Sequence, residues 1–310
     1  PDIAYNVALC NYRLKKFQAA LKPLAQIFEK GINEHPELNI GSGTQDEEIQ
    51  YVSNSPTLKA SMLIEGFNLK CAIHYVLKNF DAALEALGDA PPRKEDELDA
   101  VTLHNFGVLN MESDPTGGFK KLNFLLQQPP FPPETFANLL ILYCKFQYFD
   151  LAADILAENT HLTYNFMDQD LFDFLDATIT SAHSPEEAYR KFEDLSKKHI
   201  EKLRKLTKNI RDLRQNRSSS NTSTQSGLKE YEEALEQYIP VLMAQANIYW
   251  DLENYPKVEK LFRSTGEFCS EHEVWKLNVA HTFYMQDTKY TEAIKYYEVI
   301  VDKATELTNE

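Results

Sequence analysis

Glycine and long apolar runs are both scarce in this chain of 310 residues. The 10 glycines make up about 3% of the chain against a usual ~7%. This argues against folds that depend on glycine turns, such as dinucleotide-binding sheets and β-sandwiches. The longest apolar run, from Leu139 to Cys144, has six residues, whereas about 18 are needed to span a bilayer. We therefore expect no membrane insertion.

The patterns that usually mark catalytic or metal-binding sites are also missing. The four cysteines, at positions 10, 71, 144 and 269, lie far apart, and no pair has the short spacing of a zinc knuckle or a redox motif. The eight histidines show no metal-ligand spacing, and neither GxSxG nor GxGxxG occurs. The sequence therefore predicts a protein that is not an enzyme, without catalytic, cofactor-binding or metal-binding residues.

Positive charge is in short supply as well. Lys and Arg total 32 against 47 Asp and Glu, which gives a net charge of −15. A sequence-independent nucleic-acid binder needs basic surface to displace counterions from phosphates, so no nucleic-acid partner is expected. Hydrophobic residues make up 43% of the chain and aromatic residues 12%, which is enough to build a sizeable core.

A repeated pattern of small and aromatic residues organises most of the sequence. In the first copy, Ala8 is followed by Tyr12, Phe17 and Ala20. This pattern is typical of the tetratricopeptide repeat, a pair of helices of about 34 residues. Aligning the later copies on the position of Ala20 gives the series Ala20, Ala83, Phe119, Ala152, Ala188, Val258 and Ala293. Four of the six steps match one repeat, and the other two each contain roughly 30 additional residues.

This pattern predicts an all-α fold, a tetratricopeptide-repeat superhelical solenoid. We expect one continuous array of about seven repeats over residues 1–310. Helices that cross closely leave no room for a long side chain at the contact, which explains the small residues. Each helical pair has an apolar face that only its neighbours can cover, so the repeats stabilise one another.

The two long steps predict two insertions. Residues 31–56 are rich in Gly, Ser, Asn and Pro and are expected to form a surface loop. Residues 190–227 begin with an amphipathic seam from Phe192 to Leu213 and end in SSSNTSTQSG, which is typical of a flexible linker. We expect a long helical hairpin with a disordered Ser-rich tip near residues 218–226.

Basic residues occupy the face opposite the apolar seam of this insertion. They are Lys197, Lys198, Lys202, Arg204, Lys205, Lys208, Arg211, Arg214 and Arg217. Two interpretations stay open: a binding face for an acidic partner, and the solvated face of a long helix.

The inner surface of the repeat array is the candidate binding site, because the first helix of each pair lines it. By register, the candidate groove residues are Tyr5, Leu9, Tyr12, Asn68, Tyr75, Ile141, Met243, Asn247, Trp250 and Asn278. They are apolar, aromatic or amide side chains. Repeats that clamp a C-terminal carboxylate place Lys or Arg at such positions, so these residues disfavour a clamp for chaperone tails.

Several stretches extend beyond a generic repeat. Residues 122–166, 238–263 and 274–286, with the motifs FNLKCAI, APPRKEDELD and VTLHN between Phe67 and Asn105, resemble the fleer family. This family is the tetratricopeptide-repeat subunit of the intraflagellar transport B complex. The resemblance covers essentially the whole chain, loops included, and is lost at residues 40–60 and 218–227.

The resemblance implies a non-enzymatic scaffold of the intraflagellar transport B particle. It implies that the chain wraps a proline-rich segment of another core subunit, links to a kinesin-2 motor, and supports cilium assembly and polyglutamylation of axonemal tubulin. It places the protein in the cilium or flagellum and at the basal body, on the cytoplasmic side. The family is longer at both ends, so the chain is expected to be its central part. A second interpretation stays open: a soluble adaptor that captures short peptides or chaperone tails.

Overall fold

The computed structural model describes residues 1–42, 50–215 and 221–308. Over these residues the chain forms sixteen α-helices and no β-strand, so the predicted all-α helical-repeat class is confirmed. None of the described helices is long and apolar enough to cross a membrane. The chain divides into two compact units, residues 1–142 and residues 143–310. The expectation of one continuous array of seven repeats stays a prediction.

Unit 1 consists of short helices that pack as consecutive antiparallel pairs. Its helices are α1 (Asp2–Arg13), α2 (Phe17–Glu34), α3 (Pro56–Ser61), α4 (Leu63–Val76), α5 (Phe80–Gly88), α6 (Ala100–Leu109) and α7 (Pro115–Gln127), and the boundary between the units falls within α8 (Glu134–Lys145). The pairs are α1 with α2, α4 with α5, and α6 with α7.

Unit 2 contains two helices of 31 residues each among shorter ones. Its helices are α9 (Phe149–Glu158), α10 (Thr160–Phe166), α11 (Gln169–Ser181), α12 (Pro185–Gln215), α13 (Asn221–Asp251), α14 (Tyr255–Cys269), α15 (Glu273–Tyr284) and α16 (Tyr290–Thr308). The helix α12 packs on α11 and on α13, while α13 packs on α14 and α15 on α16.

The small residues of the repeat lie at the helix crossings. Five of them are buried, namely Ala20, Ala83, Ala152, Ala188 and Ala293. Each donates its main-chain N–H to the carbonyl oxygen of the residue four places earlier, in the turn before the second helix of its pair. The sequence register is therefore correct at these positions.

The register is wrong by one residue in the degenerate repeat. Gly118, not Phe119, occupies the buried crossing position of α7, and its N–H donates to the Asp114 carbonyl oxygen in the same way. A Cβ atom on Gly118 would lie 2.8 Å from the carbonyl oxygen of Gly107. The two helices thus meet backbone to backbone, which only glycine permits, while the larger Phe119 remains partly exposed.

Non-glycine residues occupy left-handed positions in four of the turns within the pairs. Lys15, Lys78, Gln147 and Glu253 have φ between 54° and 60°, and each lies two residues before the second helix. This conformation costs an L-residue roughly 1 kcal/mol relative to glycine. The chain therefore lacks glycine even at positions where glycine would make the folded protein more stable.

Replacing Lys78 by glycine should raise the free energy of unfolding by about 0.5–1 kcal/mol, because the left-handed conformation costs glycine almost nothing. Urea unfolding monitored by circular dichroism measures the change. The matched control is Lys120→Gly, at an exposed position inside α7, which should lower the stability by about 1 kcal/mol. Loss of stability in Lys78→Gly would contradict the assigned turn.

The predicted loop at residues 31–56 is shorter than expected. Helix α2 continues to Glu34 and is followed by a 3-10 turn from Pro36 to Leu38. Gly31 is buried within α2, and a Cβ atom there would lie 2.7 Å from Leu63 Cδ2. This glycine permits close packing of α2 on α4 rather than a turn, so it was a misleading loop signal. Residues 43–49 lie outside the described residues.

The expectation of a disordered tip is wrong for residues 221–226, because α13 already begins at Asn221. A Cβ atom on Gly227 would lie 3.3 Å from Ile210 Cγ1 and 3.7 Å from Leu213 Cδ1. The end of α12 therefore packs on the start of α13, and this packing outweighs the low helix propensity of Ser, Thr and Gly. Residues 216–220 lie outside the described residues.

Several lysines on the basic face of α12 pair with carboxylates of the same chain. Lys198 Nζ lies 2.9 Å from Asp173 Oδ2 of α11, and Lys205 Nζ lies 2.7 Å from Glu201 Oε1 one turn earlier. Lys197 pairs with two neighbouring carboxylates of α12. Such exposed pairs contribute little to stability. They do mean that carboxylates of the same chain neutralise part of the positive charge on this face.

Candidate binding grooves

Unit 1 contains a large groove along the first helices of its pairs. Its volume is about 1180 Å³, and we call it groove 1. Four of the predicted residues line it: Tyr5, Tyr12, Asn68 and Tyr75. They come from α1 and α4, and residues of α6 and α8 extend the lining. Their role in binding stays a prediction.

The hydroxyl groups of two groove tyrosines stay protonated. Burial raises the pKa of Tyr5, and the nearby Glu65 raises it further. Burial likewise raises the pKa of Tyr12, with a smaller contribution from Glu134. Both side chains can therefore donate a hydrogen bond at any physiological pH.

Unit 2 contains a smaller groove of about 220 Å³ between α13, α14 and α15, which we call groove 2. The other four predicted residues that line a groove are found here: Met243, Asn247, Trp250 and Asn278. The Trp250 ring packs edge-on against Tyr255, with centroids 5.2 Å apart. This contact repeats the arrangement of Tyr75 and Phe80 in unit 1, where the centroids are 5.4 Å apart.

Two of the predicted residues line neither groove. Leu9 is partly buried, packs against the core cluster around Ala8 and Leu24, and is absent from the lining of groove 1. Ile141 is 40% exposed but lies outside the lining of groove 1. Helix register alone cannot separate these cases, because adjacent positions on a helix differ by only 100° in direction.

One wall of groove 1 is built from two loop segments. The Asn54 side chain donates to the Glu97 carbonyl oxygen at 2.8 Å. Arg93 fastens this wall to the start of α6, because its Nη2 lies 2.8 Å from Asp99 Oδ2 and its side chain is only 4% exposed. The predicted loop at residues 31–56 thus contributes a groove wall at its end.

A buried histidine lies at the floor of groove 1. His104 Nδ1 lies 2.9 Å from Thr135 Oγ1, and its Nε2 lies 3.1 Å from Asn138 Nδ2. Burial lowers the pKa of His104, although the Glu134 carboxylate partly opposes this. The ring is therefore neutral at pH 7, and both of its nitrogens are engaged with neighbouring side chains.

This histidine makes the fold sensitive to acid. Because its pKa is lowered in the folded chain, the unfolded chain takes up the proton first as the pH falls below about 6.5. The stabilisation that the neutral His104 ring gives the folded state is complete above that pH. It is lost as the pH falls through the lower pKa of the folded chain. We expect His104→Gln to reduce the drop in urea midpoint between pH 7.5 and pH 5. The control His161→Gln, at an exposed position, should leave the drop unchanged, and an equal drop in all three proteins would contradict the assignment.

Sequence reasoning missed most of the polar lining of groove 1. The missed residues are Asn54, Arg93, Asp99, His104, Asn105 and Asn138. Four of them lie in the stretches APPRKEDELD and VTLHN. The signal available there was the density of polar residues beside prolines and a short apolar helix. The side-chain contacts that assemble them join segments more than 30 residues apart.

Comparison with known proteins connects the chain to one family. A family described as "Intraflagellar transport protein 70 C-terminal domain" matches residues 135–308. The chain is similar to "Intraflagellar transport protein 70A" from Xenopus tropicalis, with 58% identity over 302 residues, 97% of this chain and 46% of the relative. It is similar to the protein of that name from Danio rerio, with 58% identity over 303 residues, 98% of this chain and 46% of the relative.

The human protein of the same name is 55% identical over 303 residues, which cover 98% of this chain and 45% of the relative. The chain thus spans about half the length of the curated relatives it matches.

Proposed function

Because the chain belongs to the intraflagellar transport protein 70 family, we propose that it is a scaffold of the intraflagellar transport B particle that holds a proline-rich segment of another core subunit. Membership makes it an intraflagellar transport protein of the cilium or flagellum. The scaffold role, the segment and the partner are the proposal.

The observation that supports the proposal is the aromatic lining of groove 1. Tyr5, Tyr12 and Tyr75 line it together with apolar residues of α4 and α6. Proline-rich chains are already extended, lose little conformational entropy on binding, and dock on aromatic grooves. Tyrosine hydroxyls can donate to the carbonyl oxygens that such chains leave free.

The polar side chains of groove 1 support a non-catalytic role. His104 is held between Thr135 and Asn138, and Arg93 is held by Asp99. These groups fix one another's positions and so shape the groove. A binding groove needs side chains that are held in fixed positions. General acid–base catalysis instead needs a group that is free to reach a reacting atom.

Three wider roles belong to the same proposal: links to a kinesin-2 motor, support of cilium assembly and support of tubulin polyglutamylation. They follow from the family resemblance rather than from either groove. A transport scaffold would serve them by keeping the particle assembled while motor and cargo are attached to it.

Salt extraction of the particle separates a scaffold from a reversible adaptor. A scaffold that holds its partner in a mainly apolar groove should stay in the particle in about 1 M salt. The Debye length is then only ~3 Å, which weakens ion pairs, whereas obligate interfaces are mainly hydrophobic. Sedimentation of ciliary extracts followed by immunoblotting measures retention. Release of the chain at moderate salt, with the other core subunits still assembled, would favour a soluble adaptor and contradict the proposal.

A further inference from the structure

Three asparagines from successive first helices line groove 1. They are Asn68 of α4, Asn105 of α6 and Asn138 of α8, and we call them the amide row. An amide side chain both donates and accepts hydrogen bonds. Which end of each amide faces the groove decides what a bound segment must offer.

A chain of hydrogen bonds fixes the orientation of Asn105. It begins at Asp99, whose carboxylate can only accept and takes a hydrogen bond from the Thr102 hydroxyl at 2.7 Å. Because the single hydrogen of that hydroxyl is used in this bond, its oxygen accepts from Asn68 Nδ2 at 2.9 Å. Asn68 Oδ1 in turn accepts from Asn105 Nδ2 at 2.8 Å.

The first link of this chain is secured by charge. Burial by itself would raise the pKa of Asp99, but hydrogen bonds from Thr102 and Arg93 outweigh it and hold the pKa below its usual value. Asp99 is therefore an anion at physiological pH and cannot donate. The direction of every later hydrogen bond follows from this. Asn105 is therefore held with its Nδ2 toward Asn68, and its Oδ1 is the acceptor left for a ligand.

Asn138 has the same orientation against the floor of the groove, where its Nδ2 lies 3.1 Å from His104 Nε2. An amide in this orientation requires a neutral ring that carries its proton on Nδ1, which lies 2.9 Å from Thr135 Oγ1. Within the described residues, Oδ1 of Asn105 and Oδ1 of Asn138 accept no hydrogen bond. Both residues are half-buried, so water satisfies these oxygens only while the groove is open.

We propose that Asn105 and Asn138 use these oxygens to bind main-chain N–H groups of the segment that fills groove 1. A segment that displaces the water must supply donors, because a buried acceptor without a partner is costly. Proline has no main-chain N–H. The groove therefore selects an extended segment whose prolines are interrupted by other residues at the positions that face the two oxygens.

This inference rests on the proposed function, and it narrows the partner. Oligoproline suits the aromatic lining but leaves both oxygens unpaired. A mixed segment suits the aromatic lining and also supplies N–H groups to the two oxygens. In either segment the carbonyl oxygens can accept from the hydroxyl groups of Tyr5 and Tyr12. The orientations of Asn105 and Asn138 are already fixed by the fold, so little ordering is needed when the segment binds.

The test uses two labelled synthetic dodecapeptides, one alternating proline with alanine and one alternating proline with N-methylalanine. The second keeps the extended shape but has no main-chain N–H at the alternate positions. Fluorescence anisotropy with the whole chain should give at least tenfold tighter binding of the alanine peptide, since one lost hydrogen bond of this kind corresponds to about a tenfold change.

The double variant Asn105→Leu with Asn138→Leu should bind the two peptides within twofold of each other. The matched control is Asn123→Leu with Asn165→Leu, two asparagines that line neither groove, which should keep the preference. The peptide comparison on the unchanged chain decides the matter even if the double variant does not fold. Equal binding of both peptides to the unchanged chain would overturn the inference and leave the proposed function standing. Binding of neither peptide would overturn both.

Discussion

Replacing Tyr75 by alanine is expected to weaken the complex with the partner core subunit by about 2 kcal/mol, roughly thirtyfold in Kd. The tyrosine lines groove 1 and is 44% exposed, so nearly half of its surface is available to a partner. Large aromatic side chains at the centre of an interface commonly contribute this much. Titration of the purified core subunit measures the change. We expect a loss of the same size for Trp250→Ala in groove 2.

The control is Tyr164→Ala in α10, where the side chain is 84% exposed and lines neither groove. It should leave the affinity unchanged. Circular dichroism must first show that each variant is helical, because Tyr75 also packs on Phe80. A folded Tyr75→Ala variant with unchanged affinity would contradict binding in groove 1 and favour a contact on another face.

Gly118→Leu should lower the free energy of unfolding by about 3 kcal/mol. The crossing of α6 and α7 leaves no space there, since even a Cβ atom would lie 2.8 Å from both the Gly107 carbonyl oxygen and Met111 Cε. Overpacking of a buried site typically costs 1–3 kcal/mol, occasionally more, and the better helix propensity of leucine regains less than 1 kcal/mol. Urea unfolding of the variant measures the loss.

The comparison with Phe119→Leu tests the register directly. Phe119 is only partly buried, and an exchange of one apolar side chain for another there should cost less than about 1.5 kcal/mol. If Phe119→Leu lowered the free energy of unfolding more than Gly118→Leu, the residue at the helix crossing would be Phe119. The assignment made from sequence spacing would then be correct.

The repeat and the family could be predicted from the sequence because both depend on local, repeated features. Small residues such as Ala20 and Ala83 mark helix crossings, and both are fully buried. The resemblance to the fleer family, which rested on long stretches such as residues 122–166, is confirmed by the match to the intraflagellar transport protein 70 family. The lining of the grooves by tyrosines and Trp250 also followed from helix register.

What the sequence did not reveal depends on contacts between distant segments. Gly31 and Gly227 resemble loop residues, but both lie in helices that need close approach to a neighbour. The orientation of Asn105 depends on Asp99 and Thr102, which share no periodic pattern with it. Glycine can mark a turn or a tight helical contact, and only the packing partner decides between them.

A photo-reactive benzoylphenylalanine at position 75, within the assembled particle, tests the central claim most directly. Irradiation followed by mass spectrometry identifies what lies in groove 1. We predict cross-links to a proline-rich segment of another core subunit, with non-proline residues among the cross-linked positions, and no such cross-link from the same probe at position 164. Cross-links to that segment from position 164 and none from position 75 would contradict the claim that groove 1 holds the partner.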